Sequence, residues 1–97
     1  PEQAAFRELG ATATSRVNGC VYCASVHARL YANYSKRREV ILRFLADGME
    51  AALPEIERAV VDASAKLTRD PEGFTAADLE PLRALGFDDL AILDILN

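Results

Sequence analysis

Apolar residues recur at intervals of three and four along most of the chain, and no run alternates with period two, so the pattern predicts an all-α fold. A first helix over Pro1 to Val17 turns Ala4, Ala5, Leu9, Thr12, Ala13 and Val17 inward. Its small run from Gly10 to Thr14 lets a neighbouring helix approach closely. Asn18-Gly19 breaks the pattern, because both residues tolerate positive φ and Gly suits the position just past a helix end. A second helix over Cys20 to Tyr34 has no internal Gly or Pro. Ser35 caps a short third, Lys36 to Ala46, with Val40, Leu42, Phe44 and Leu45 apolar and Asp47-Gly48 as its stop. Pro54 fits the first turn of a fourth, which runs to about Leu67 with Ile56, Ala59, Val60, Ala63 and Leu67 at helical spacing. Arg69 to Gly73 reads as a loop. Thr75 and Asp78 have the form of a capping box, opening a helix that ends at Gly86. Asp88 caps the last helix, where Leu90, Ile92, Leu93, Ile95 and Leu96 are apolar on several sides. The expectation is a bundle of about five to six helices.

Length and composition fit one domain over residues 1–97: 97 residues, 51% of them hydrophobic, are enough for a single packed core. The net charge of −4 is uneven, +3 over residues 1–48 and −7 over 49–97. An acidic chain lacks the basic face that nucleic acid requires. The two short capped helices at the end suggest a helix-turn-helix, but of six charged groups in residues 75–97 only Arg83 is basic. No apolar run is long enough to span a membrane, and no signal-peptide pattern is present, so neither membrane nor nucleic acid is an expected partner. Two cysteines in x-x spacing, without a wider framework, fit a reducing, cytoplasmic compartment.

The chemistry concentrates in one segment. Cys20, Cys23 and His27, the only cysteines and the only histidine, fall within eight positions. At offsets i, i+3 and i+7 they project within roughly 60° of one another on a helix. A thiol near a helix N-terminus has its thiolate favoured by free N–H groups, and a second cysteine one turn on can close a disulfide. Cys23 and His27 are an i, i+4 pair, so the imidazole can take or return a proton. If the first helix folds back antiparallel, Glu8 comes beside His27 and completes a nucleophile, base and orienter arrangement. Other readings are an exposed helix carboxylate for Glu8, a zinc site on Cys20, Cys23 and His27 that lacks a fourth Cys or His, and buried structural thiols in an inactive helical interaction module. Tyr31 and Tyr34 extend the Cys/His face and read as packing residues with hydroxyls at the rim. Tyr22 reads as packing on another face, Arg29 as solvated and Lys36-Arg37-Arg38 as a solvated basic run.

Glu8, the run Ser15-Arg16-Val17-Asn18-Gly19-Cys20-Val21-Tyr22-Cys23 and His27 resemble the core motif of the alkylhydroperoxidase D (AhpD)-like proteins. These are part of the wider carboxymuconolactone decarboxylase superfamily. The stretch from Lys66 through Phe74-Thr75-Ala76-Ala77-Asp78-Leu79 to Asp94 is similar to the second half of the peroxidase-related branch. Tyr22 stands where the prototype has a second histidine. The resemblance implies an AhpD-like helical bundle in which the Cys-x-x-Cys helix packs against the one before it. It implies a redox pair, Cys20 and Cys23, with His27 and Glu8 as proton relay. The implied activity is thiol-dependent reduction of an alkyl hydroperoxide, an antioxidant role needing no cofactor and no metal. In that reading Cys23 attacks and Cys20 resolves, with the reverse order open because Cys20 is nearer the helix end. The implied reductant is a dithiol, lipoyl or thioredoxin-like. The alternative is dithiol/disulfide exchange with a protein partner. The resemblance also implies a trimer or hexamer, and a chain that continues past Asn97, where the apolar pattern is still running.

Overall fold

The computed structural model describes residues 2–96; Pro1 and Asn97 lie outside the described residues. Six α-helices account for most of them: α1 Glu2–Val17, α2 Val21–Ser35, α3 Arg38–Asp47, α4 Glu55–Arg69, α5 Glu80–Ala84 and α6 Asp89–Leu96. There is no strand among the described residues. Helix α1 is the central element and packs against α2, α4 and α6. The fully buried Leu9, Tyr31, Phe44, Val60, Val61 and Leu82 bring α1 to α5 into one core. Phe6 meets Phe87 edge to face, with ring centroids 5.5 Å apart, and ties α1 to the loop before α6.

The small residues of α1 do what their size allows. A Cβ on Gly10 would stand 2.8 Å from the Ser64 Oγ of α4 and 3.2 Å from the Ile95 carbonyl of α6. Gly10 therefore sets how closely three helices meet. Across the same interface Thr68 donates to Thr14, Oγ1 to Oγ1, at 3.1 Å. The α1–α2 turn is built on Gly19, whose φ of +78° is open to glycine at little cost. Its N–H bonds the Arg16 carbonyl and the Cys20 N–H bonds the Ser15 carbonyl, closing α1.

Several expectations shift by a residue or two, each for a local reason. Phe6 is buried in place of Val17, which is half-exposed. Cys20 caps α2 instead of opening it. Lys36 ends α2 in a left-handed conformation, φ +60°, so α3 cannot start there and begins at Arg38. The Ser35 hydroxyl accepts the Arg37 N–H in that connection instead of capping α3. Pro54 stands immediately before α4, which continues to Arg69. The Thr75/Asp78 capping box forms, with the Thr75 N–H donating to Asp78 at 2.9 Å, but it opens a 3-10 turn over Ala76–Leu79. Pro81 has no N–H to give that turn, and α5 starts around it as a separate short helix. Asp88 caps α6 by accepting the Ala91 N–H at 2.8 Å. Tyr22 does not pack: it is 79% exposed, on the outer face of α2.

Candidate active site

The site grows out of the α1–α2 hairpin. The Asn18-Gly19 turn reverses the chain, and α2 then runs back along α1. The eight to ten positions before the turn that lie opposite His27 include Glu8. The structure brings the two together, with His27 Nδ1 and Glu8 Oε1 2.7 Å apart. Glu8 is the more enclosed, its side chain 16% exposed against 34% for His27. A carboxylate on Nδ1 fixes the ring and leaves Nε2 facing away from it as the free nitrogen.

Cys20 and Cys23 stand at the mouth of the same hairpin. Their Cα atoms are 5.3 Å apart and the sulfurs are joined as a disulfide. The Cys20 Sγ also accepts the Cys23 N–H at 3.2 Å, so this sulfur serves as the N-cap of α2. Both cysteines are half-buried, and His27 follows Cys23 by one helical turn. The three side chains thus occupy one face of α2, with Glu8 reaching in from α1. Val21 and Tyr22, between the cysteines in sequence, are 80% and 79% exposed.

A cavity of about 430 Å³ adjoins the His27/Glu8 pair, walled by α1, α4 and α6. Sequence reasoning did not anticipate it, since its polar lining of Thr14, Ser15 and Thr68 is scattered over two helices.

A second polar cluster was also missed. Glu57 of α4 is 1% exposed and accepts from the Tyr31 hydroxyl at 3.1 Å and from Arg37 at 2.6 Å. Burial, followed by the nearby Glu57 charge, pushes the Tyr31 hydroxyl up to about 12. The spacing held a clue: Glu57 precedes Val60, Val61 and Ser64 by three, four and seven positions, so it shares their inward face. Tyr34 is half-exposed at the rim, Arg29 is solvated, and Arg37 of the basic run is engaged by Glu57. Among the described residues no group of three or more His, Cys, Asp or Glu side chains is placed to hold a metal ion, and no helix is long and apolar enough to cross a membrane.

Comparison with known proteins agrees with this architecture. Residues 3–66 match the carboxymuconolactone decarboxylase family. A crystal structure of an alkylhydroperoxidase AhpD core, an uncharacterized peroxidase-related protein from Ralstonia eutropha JMP134, superposes with a TM-score of 0.80 at 32% identity. The match covers 95% of this chain and 48% of that one, so the chain spans about half the length of that relative. No curated protein matches the chain. Six helices, a Cys-x-x-Cys pair where the second helix starts and a family match through most of α4 lead to one assignment: the chain belongs to the carboxymuconolactone decarboxylase family, as a member with the AhpD-like fold.

Proposed function

We propose that the protein is a thiol-dependent hydroperoxide reductase in which Cys20 and Cys23 form the redox pair and Glu8 and His27 the proton relay. The observation that carries this reading is the 2.7 Å contact between His27 and Glu8 beside a cysteine pair at a helix N-terminus. In the reduced protein His27 Nε2 takes the Cys23 proton, while Glu8 holds Nδ1 and stabilises the imidazolium. The thiolate attacks the terminal oxygen of the hydroperoxide. A sulfur–oxygen bond forms, the oxygen–oxygen bond breaks, and the alkoxide leaves with the proton that His27 carried. Cys23 is now a sulfenic acid. The Cys20 sulfur attacks it, the disulfide forms, and the hydroxyl departs with the Cys20 proton as water. A dithiol of the lipoyl or thioredoxin-like class resets the pair by exchange.

The exposed apolar Val21 and Tyr22, next to the cysteines in sequence, support a second reading, direct disulfide exchange with a protein partner. One comparison separates the two. Hydroperoxide consumption is followed with a small dithiol for the wild type, Cys23→Ser and Cys20→Ser. The peroxidase reading expects wild-type turnover, none with Cys23→Ser, and one oxidising equivalent trapped as sulfenic acid in Cys20→Ser. A wild type that forms its disulfide reversibly but consumes no hydroperoxide would favour exchange with a protein.

A further inference from the structure

The cavity beside the relay has a specific place in such a reaction. His27 and Glu8 line it together with Leu67, Ile95 and Leu96; neither cysteine is in its wall. Leu67 and Leu96 also wall a second, more apolar cavity of about 260 Å³, bordered by Phe74 and Leu79. Displacement at a peroxide oxygen has a fixed geometry. The sulfur enters along the oxygen–oxygen axis, and the alkoxide leaves on the side away from the sulfur. A departing-side space is lined by the proton donor and not by the sulfur, as this cavity is lined by His27 and by neither cysteine. It is also where a proton donor must stand to meet the alkoxide.

We infer that this cavity is the leaving-group pocket of the protein, and that it takes the alkyl part of an organic hydroperoxide against Leu67, Ile95 and Leu96. The inference rests on the peroxidase reading and adds to it which residues select the substrate. The step balances as follows. Cys23 sulfur is oxidised to the sulfenic acid as it bonds the terminal oxygen, and the electron pair of the broken bond goes to the alkoxide. The alkoxide receives the proton from His27 Nε2 and becomes the alcohol. A volume of about 430 Å³ is within the range of about 300–1,000 Å³ that small organic ligands occupy. Hydrogen peroxide has no alkyl part and makes no use of the apolar wall. Residues of that wall thus separate organic hydroperoxides from hydrogen peroxide without touching the relay.

Two variants and a redox-inert probe test this. Ala11 lines the cavity from α1, and Ala11→Leu puts three further carbons into it. Leu67→Ala removes part of the apolar wall. The probe is 2-phenyl-2-propanol, the alcohol left by cumene hydroperoxide, titrated while the amide resonances are followed. The expected result is binding that shifts Ala11, Leu67 and Thr68 and leaves Tyr22 unmoved. Binding should weaken about tenfold in either variant, because a few methylene contacts in an apolar pocket are worth about that much. Efficiency with cumene hydroperoxide should fall by a similar factor, and efficiency with hydrogen peroxide should stay within about twofold. Alcohol binding that is absent from the wild type, or unchanged in both variants, overturns the pocket even if the protein turns over peroxide. An equal fall with both peroxides also overturns it. A wild type that binds the alcohol but consumes no peroxide overturns the peroxidase reading instead, and the leaving-group assignment with it.

Discussion

In the proposed mechanism Glu8 acts on the chemistry only through His27, and that makes its contribution separable from that of the cysteines. Its carboxylate touches Nδ1 at 2.7 Å and is mostly enclosed, so solvent screens the contact little. Glu8→Gln keeps the shape and loses the charge that stabilises the imidazolium. The expected outcome is a fall of about 10²-fold in kcat for hydroperoxide, the scale on which positioned acid–base groups act. KM should change little. A Glu8→Gln protein with the wild-type rate removes the carboxylate from the mechanism. Cys20 has a structural task beside its proposed redox one, since its sulfur caps α2. In the reduced state Cys20→Ser keeps a side-chain acceptor at that position and Cys20→Ala does not. The alanine variant should be less stable than the serine variant by about 1 kcal/mol, the usual worth of an N-cap, when both are unfolded with urea.

Between elements, the strongest polar tie outside the site joins α2, α4 and the α2–α3 connection through Tyr31, Glu57 and Arg37. Tyr31→Phe leaves the buried Glu57 carboxylate with one donor fewer. The expected cost is about 1–3 kcal/mol in denaturant unfolding near neutral pH. The pH dependence has a definite sign. In the folded protein the Tyr31 hydroxyl holds its proton up to about 12, against 10.0 when unperturbed. A raised folded value gives stability that is complete below pH 10 and is lost as pH rises through 12. The gap between wild type and Tyr31→Phe should therefore narrow as pH rises from 10 toward 12; a gap independent of pH there refutes the assignment. Elements also show where sequence reading runs out. Helical spacing and the Asn18-Gly19 turn made α1, α2 and their antiparallel pairing legible, and with them the meeting of Glu8 and His27. The capping box at Thr75 and the cap at Asp88 were legible too, because their bonds are local. Lys36 in a left-handed conformation was not, since nothing in a lysine favours it. Tyr22 was misread because an aromatic on a helix usually finds a neighbour, and among the described residues no element covers that face. Glu57 was passed over because charge alone suggests solvent, and only its register with Val60, Val61 and Ser64 says otherwise.

For the molecule as a whole, size and surface report how compactly the chain packs. A monomer of 10.6 kDa is expected to expose about 5,500 Å². The chain exposes 5570 Å². Its radius of gyration is 12.2 Å, where a compact chain of this length has about 12.5 Å. Both values are those of a compact chain of this length, and a relative of similar fold is about twice as long. The exposed Val21, Tyr22, Leu42 and Leu90 are spread over three helices, so they add surface for association without breaching the core. Central α1 packs on α2, α4 and α6, and Leu9, Val60 and Tyr31 of α1, α4 and α2 are fully buried in one core. Cooperative unfolding follows from that arrangement. Urea transitions followed by far-ultraviolet circular dichroism and by tyrosine fluorescence should coincide, with a slope of about 1 kcal/mol/M. The disulfide closes a single turn at the mouth of the hairpin, so reduction should shift the midpoint without splitting the transition. Two separated transitions, one reporting α1 and α2 and the other α4 to α6, would show that the site hairpin and the acidic half fold independently.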